Sequence, residues 1–344
     1  MTDSKFIVEK RCRPSAKKRL VRIGITVIAS VVIIYAALTW WCASEIAQPG
    51  RRAIQTSYLP YLNHTANAGF RVDAFTTSDG MPCLVCTPEK TEIFSKRAKI
   101  IREQLEARQI DLLPSGAISG TLMILHGRGG IKEDYLAVAE RFCAVGFRCV
   151  IPDLPGHGSN PKKFTTYGVT EAPMVMKCHQ EAALKFNFPI QPCFILGQSM
   201  GGSVAMYTAT SPESQYQAMV VISSFDQLQP IIRHQTSGLL GSVFGPMLAH
   251  TSFAIYEWKT GVDISQIRPA QKAAQLSIPI LMVHGESDHT VPTDSGERLY
   301  ESLPEDIGKK WLEIPQADHN NVLITDYPLY ATIAEWLLTQ IRPR

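Results

Sequence analysis

The order of elements predicts an α/β protein with a mostly parallel central sheet flanked by helices. Three observations carry that expectation. Short apolar runs at 121–125, 148–151, 193–196, 218–223, 280–283 and 311–314 read as buried strands. Helix-forming stretches at 133–145, 170–188, 202–210 and from Tyr327 onward alternate with them, and such alternation covers a parallel sheet on both faces. Polar and glycine-rich residues follow the strands directly, at the carboxyl ends where ligands of such sheets collect.

The 344 residues are ample for a large buried core. Eight basic residues against Asp3 and Glu9 precede Ile23 in a chain of net charge +3, so a basic arm (1–22) is joined to a slightly acidic body. That distribution excludes a nucleic-acid-binding domain. The next 22 residues, 23–44, carry no charge. As a helix they extend about 33 Å, enough to cross a hydrocarbon core of about 30 Å. Trp40 and Trp41 lie at the far end, where aromatic rings favour the headgroup boundary. A cleaved leader is disfavoured, because its apolar region is usually about 7–15 residues and Cys42-Ala43-Ser44 is a weak cleavage pattern. The expected arrangement is an uncleaved single-pass transmembrane anchor. Only Arg51 and Arg52 follow it closely, which puts the N-terminus in the cytoplasm and the body on the extracytoplasmic side.

Residues 45–69 read as a connector, broken by Pro49-Gly50 and Pro60. The alternation at 70–75, the Ser78-Asp79-Gly80 turn and the run 81–87 predict a β-hairpin. Within 91–112, Phe94, Ala98, Ile101, Leu105 and Leu112 recur at helical spacing among Lys96, Arg97, Lys99, Arg102 and Arg108. This predicts an amphipathic helix packed on the body, with a solvated basic face. Cys83 and Cys86 fall on opposite faces of a strand. With no second pair or histidine at zinc-site spacing, they read as packing groups, and no metal or cofactor is expected. The stretch from Asp226 to about residue 262 breaks the rhythm and reads as an insertion above the sheet.

The chemistry is concentrated after the strands. Ile195-Leu196-Gly197-Gln198-Ser199-Met200-Gly201-Gly202 is a strand, a G-x-S-x-G turn and a helix start, the context that lifts a serine hydroxyl above a sheet. A serine needs a base to take its proton, and the base needs an acid to hold its tautomer. Ser199, Asp288 and His319 supply nucleophile, acid and base from the ends of different strands. Glu286 and Asp318 are alternative acids. A tetrahedral oxyanion needs preformed donors, and the backbone N–H groups of Arg128 and Met200 are placed to supply them. His126 and His157 read as braces of their loops. The Arg128 guanidinium has a second possible use, meeting an acidic group of a substrate.

From about Phe70 onward the chain resembles the α/β-hydrolase superfamily. His126-Gly127-Arg128-Gly129-Gly130, Pro152-Asp153-Leu154-Pro155-Gly156-His157-Gly158, Gly197-Gln198-Ser199-Met200-Gly201, His284-Gly285-Glu286-Ser287-Asp288-His289 and Ala317-Asp318-His319-Asn320 match its signatures in order. The nearest likeness is to membrane-anchored esterase/lipase-like members of the serine aminopeptidase-type branch. The resemblance implies an α/β-hydrolase domain over 70–344 with a short lid at about 226–262. It also implies a triad of Ser199, Asp288 and His319, an oxyanion hole of Arg128 and Met200, and Cys149 on a strand beside Cys83 and Cys86.

A serine hydrolase acting on an ester through an acyl-enzyme is therefore expected. Thioester, amide and acyl-transfer chemistry on the same triad, or a non-catalytic binding ectodomain, stand as alternatives. The apolar run 239–248 in the lid is expected to roof the serine and to receive an apolar acyl or alkyl group. Expected partners are a lipid-like or small-molecule ester and the membrane, with no nucleic acid.

Overall fold

In the computed structural model, which describes residues 16–63, 68–325 and 327–341, the alternation becomes one eight-stranded sheet. Its strands are β1 (Phe70–Thr76), β2 (Pro82–Pro88), β3 (Gly120–Leu125), β4 (Phe147–Pro152), β5 (Cys193–Gln198), β6 (Ala218–Ile222), β7 (Ile280–Gly285) and β8 (Lys309–Ile314). They lie in the order β1-β2-β4-β3-β5-β6-β7-β8. The hairpin strands β1 and β2 pair antiparallel, β2 with β4 also, and every pair from β4 to β8 is parallel. Strands β3, β4, β6 and β7 are buried throughout, which is why they read as continuous apolar runs and not as alternating ones.

The helices are α1 (Ala16–Ala47), α2 (Leu59–Leu62), α3 (Lys96–Ala107), α4 (Leu136–Cys143), α5 (Glu171–Lys185), α6 (Met200–Ala209), α7 (Leu228–Thr260), α8 (Pro269–Ala273), α9 (Thr293–Glu301) and α10 (Leu329–Ile341). They cover two cores, one on each face of the sheet. Cys83 belongs to one core and Cys86 to the other, as the strand reading requires. Cys86 lies across from Cys149 in register, and Cys83 Sγ is 3.0 Å from Cys178 Sγ. The seven described cysteines are all free and buried. Burial pushes the thiols of Cys86, Cys143 and Cys178 well up, so they behave as packing groups. Helix α3 starts at Ser95, whose side chain accepts from the Ala98 N–H at 3.2 Å. It buries Ala98, Ile101 and Leu105, its Arg97 reaches Glu140, and Arg108 at its end reaches Glu335.

Of the basic arm, residues 1–15 lie outside the described residues. Helix α1 is long and apolar enough to cross a membrane. It does not stop at Ser44. Its last turns enter the body, where Cys42, Ala43, Ile46 and Ala47 are buried. The Tyr167 hydroxyl donates to the Ile46 carbonyl at 2.9 Å, and the Thr165 N–H to that of Ala47 at 2.8 Å. The stretch out of rhythm is α7, two helical segments joined at Gly241, whose φ of 78° is open to glycine at little cost. Its second segment runs alongside α1. The Tyr35 hydroxyl donates to the Met247 carbonyl at 3.1 Å, Ser252 Oγ donates to the Thr39 carbonyl at 3.3 Å, and Lys259 Nζ donates to Ser44 Oγ at 2.7 Å.

Because Ala47 is 0% exposed, Ala47→Glu places an unpaired carboxylate in the core. It should lower stability by about 3 kcal/mol or more, whereas Val31→Ser on the exposed part of α1 should not. Thermal unfolding of both variants in one detergent checks this; equal midpoints would show that the end of α1 is not part of the core.

Candidate active site

Ser199 sits between β5 and α6 at φ 53° and ψ −117°, a left-handed-side conformation that a non-glycine residue occupies only under constraint. The constraint is the passage of strand into helix. A Cβ on Gly197 would lie 2.1 Å from the Gly201 carbonyl oxygen, and one on Gly201 would lie 2.2 Å from that of Leu125. The Ser199 N–H donates to the Ile222 carbonyl at 2.8 Å, and Ser224 Oγ donates to the Ser199 carbonyl at 2.9 Å. Both partners come from the end of β6, so the neighbouring strand holds the turn.

His319 follows β8. Its Nε2 lies 3.0 Å from Ser199 Oγ and its Nδ1 lies 2.7 Å from Asp288 Oδ2. The other carboxylate oxygen of Asp288 accepts the N–H groups of Thr290 and Val291 at 3.0 and 2.9 Å. Burial alone would raise the Asp288 pKa. The hydrogen bond and attraction from His319 and the Val291 N–H outweigh it and hold the carboxyl below its ordinary range. The two rival acids are occupied elsewhere. Glu286 accepts the Gln316 N–H at 2.9 Å, and Asp318 accepts those of Asn320 and Asn321 at 2.8 and 2.9 Å.

Met200 is the first residue of α6, so its N–H has no partner within the helix. Arg128 lies on the loop after β3, across the same cleft. Its guanidinium turns away to α1, where it donates to the Glu45 carbonyl at 3.1 Å and lies 3.5 Å from the Glu45 carboxylate. His126 accepts the Leu154 N–H on Nε2 at 3.0 Å, leaving Nδ1–H to donate to the Gly127 carbonyl at 2.9 Å. Burial lowers its pKa and pulls that of His157 down to about 3, so both are neutral braces. Below the loop, Asp153 and Lys132 form a buried pair at 2.8 Å.

The cleft over Ser199 has a volume of about 530 Å³ and is walled by Phe225, Leu228, Ile231, Ile232 and Val291 on one side. The roof contributed by α7 is therefore its first segment. Phe244, expected over the serine, is 63% exposed and does not line the cleft. The helix kinks at Gly241, beyond which Val243, Phe244 and Met247 face outward while Leu248 is buried. Among the described residues no group of three or more His, Cys, Asp or Glu side chains is placed to hold a metal ion.

Comparison with known proteins matches the same region. A family model described as "Serine aminopeptidase, S33" covers residues 116–267. Monoacylglycerol lipase of Mycolicibacterium smegmatis is 26% identical over 211 residues, 52% of this chain and 74% of that one. Human monoglyceride lipase is 23% identical over 171 residues, 48% of this chain and 56% of that one. A Pyrococcus furiosus esterase in two crystal forms superposes with TM-scores of 0.56 and 0.58 at 16% and 14% identity, covering 86% of this chain and 100% and 99% of those. The chain has the α/β-hydrolase fold. Its likeness is to the esterase/lipase-like members.

Two contacts at this site have no sequence signal. The Tyr135 hydroxyl donates to Gln198 Oε1 at 2.6 Å, and Gln198 Nε2 reaches the His319 carbonyl at 3.4 Å. The variable position of the G-x-S-x-G turn thus ties the short turn before α4 to the histidine loop. Nothing in the local pattern around Tyr135 marks it as a partner of that turn.

The groups that lower the Asp288 pKa exist only in the folded chain. Its carboxylate therefore stabilises the fold above pH about 4, and that contribution is lost as pH falls through the lower folded value. The stability gap between the wild type and Asp288→Asn should be largest at pH 7 and narrow towards pH 3. Thermal unfolding at both pH values checks this, and a constant gap would contradict it.

Proposed function

We propose that this hydrolase cleaves a carboxylic ester bearing an apolar acyl or alkyl group, with Ser199 as nucleophile, His319 as base and Asp288 as the acid. The observation that carries the reading is the row from Ser199 Oγ to His319 to Asp288, at 3.0 and 2.7 Å, opening on an apolar cleft. Asp288 accepts Nδ1–H and so leaves Nε2 free to take the serine proton. Ser199 Oγ attacks the acyl carbon as its proton passes to His319. The carbonyl oxygen becomes an oxyanion, received by the N–H groups of Met200 and Arg128. The C–O bond to the alcohol breaks, and His319 gives its proton to the departing oxygen. Water then gives a proton to His319 and attacks the acyl-serine. The acid leaves and Ser199 regains its proton.

The apolar wall of Leu228, Ile231 and Ile232 favours an apolar substituent, and similarity to monoacylglycerol lipases supports a lipid-like ester. Helix α1 is read as a retained anchor. Cleavage near Ser44 would sever Ile46 and Ala47, which the body buries and hydrogen-bonds, from the helix that holds them. The basic arm puts the N-terminus in the cytoplasm and the active site on the far side.

Ser199→Ala and Asp288→Asn should each lower kcat by roughly 10⁴-fold while leaving the far-ultraviolet spectrum unchanged. Assays on p-nitrophenyl esters, with fluorophosphonate labelling of Ser199, check this; full activity in folded Ser199→Ala would end the reading. Protease added to sealed cells or spheroplasts should reach the body while full-length anchor remains with the membrane. A soluble product starting near residue 44 would refute the anchor.

A further inference from the structure

The second segment of α7 rises along α1 and meets Tyr35, Thr39 and Ser44 in turn. Tyr35 lies nine residues before Ser44, about 14 Å along the helix axis and so well within a hydrocarbon core of about 30 Å. At that level the tip of α7 turns outward Leu239, Val243, Phe244 and Met247, which are 52–66% exposed. Large apolar side chains grouped at a helical tip are expensive in water and comfortable in lipid. Near Ser44, Trp40 and Trp258 stand 6.0 Å apart and Lys259 Nζ lies 4.2 Å over the Trp40 ring. Paired tryptophans with a lysine are an interfacial anchor, and they set the depth at which the tip is submerged.

Between the two helices is a second cavity of about 290 Å³. Trp41, Cys42 and Ile46 of α1 form one wall, and Thr236, Leu239 and Leu248 of α7 form the other. Arg128, Tyr167, Ile232 and Gln235 line this cavity and the cleft over Ser199 alike. The two spaces therefore meet at the residue whose N–H is assigned to the oxyanion. The Arg128–Glu45 pair marks the junction, a polar point between an apolar cavity and the reacting centre.

We propose that this cavity is the subsite for the hydrocarbon tail of a membrane ester lipid, and that the anchor helix is one of its walls. The proposal rests on the ester-hydrolase reading and names where its substrate binds and from where it arrives. A single alkyl tail is the occupant that fits. The cavity is small and apolar, lies between α7 and the interfacial end of α1, and shares lining residues with the cleft over Ser199. A tail that slides from the bilayer between α1 and α7 never crosses water, so the desolvation that drives binding in a soluble lipase is replaced by a transfer between two apolar surroundings. The ester group then meets its first polar partners at Arg128. On this account the anchor supplies part of the binding site as well as attachment.

Two measurements on the full-length protein in phosphatidylcholine vesicles test this. A glycerol mono-ether with a diazirine at its tail end cannot be hydrolysed, so it reports occupancy without chemistry. Photolysis should place it on the peptides holding Cys42, Ile46 or Leu239, in excess over the lipid-facing surface at 23–34. Cross-links confined to 23–34, or falling around Leu323 and Ile324 on the other side of the cleft, would overturn the proposal. Cys42→Trp and Leu239→Trp fill the cavity from opposite walls, and the exposure of Leu239 makes the second compatible with folding. Each should lower the ratio of kcat/KM on p-nitrophenyl decanoate to that on acetate at least tenfold. An unchanged ratio in folded variants would likewise overturn it. If the wild type cleaves neither ester and Ser199 takes no fluorophosphonate, the ester reading fails, and the cross-linking pattern alone then decides whether the tail site exists.

Discussion

A serine held at φ 53° in a turn with no room for side chains on either flank is the constraint around which this molecule is arranged. Such a backbone costs on the order of 1–3 kcal/mol and persists only where its surroundings over-determine it. Here they do so from β6, through the Ile222 carbonyl and Ser224, and from β3, whose end packs against Gly201 without a gap. The strain points the hydroxyl at the carboxyl edge of the sheet. Every loop that meets it leaves a parallel strand at that same edge, so strand direction decides which residues can converge there.

The electrostatics of the edge divide into two kinds. Buried histidines away from the serine are kept neutral: His126 and His157 lose their charge to burial and serve as hydrogen-bonding struts. Buried carboxylates are kept charged by dedicated partners, Lys132 for Asp153, and His319 with two backbone N–H groups for Asp288. A buried carboxylate without such partners would take up a proton instead. At the base of α7, Asp226 accepts from Ser295 at 2.6 Å and from Arg298 at 2.9 Å. The helix that roofs the cleft is thereby fixed at its root, while its tip extends along α1.

That extension links the apolar N-terminal helix to the carboxyl edge of the sheet. A helix joined by a loose tether would leave α1 and α7 mechanically independent. In this chain the last turns of α1 belong to the same core as β5 and α6, so the orientation of α1 and the position of α7 are coupled by packing. The polar contacts along the seam, from Tyr35 to Lys259, set the register of one helix against the other.

Alternation of apolar runs and helix-forming stretches was enough to read an α/β sheet, because hydrophobic period and turn chemistry are local properties. The G-x-S-x-G turn and the polar residues after each strand brought Ser199, His319 and a short list of carboxylates into view for the same reason. The resemblance singled out Asp288 over Glu286 and Asp318, and the fold puts its carboxylate 2.7 Å from His319 Nδ1, while Glu286 and Asp318 accept from Gln316, Asn320 and Asn321. The tie from Tyr135 through Gln198 to His319 spans 63 and 121 residues of chain, and no local pattern encodes it. Phe244 faces outward beyond the kink at Gly241, and the meeting of α1 with α7 joins residues 212 apart in sequence. Sequence by itself determined what each segment can form and which groups are chemically competent. Tertiary structure alone decided which of those groups meet, because that depends on packing between segments far apart in the chain.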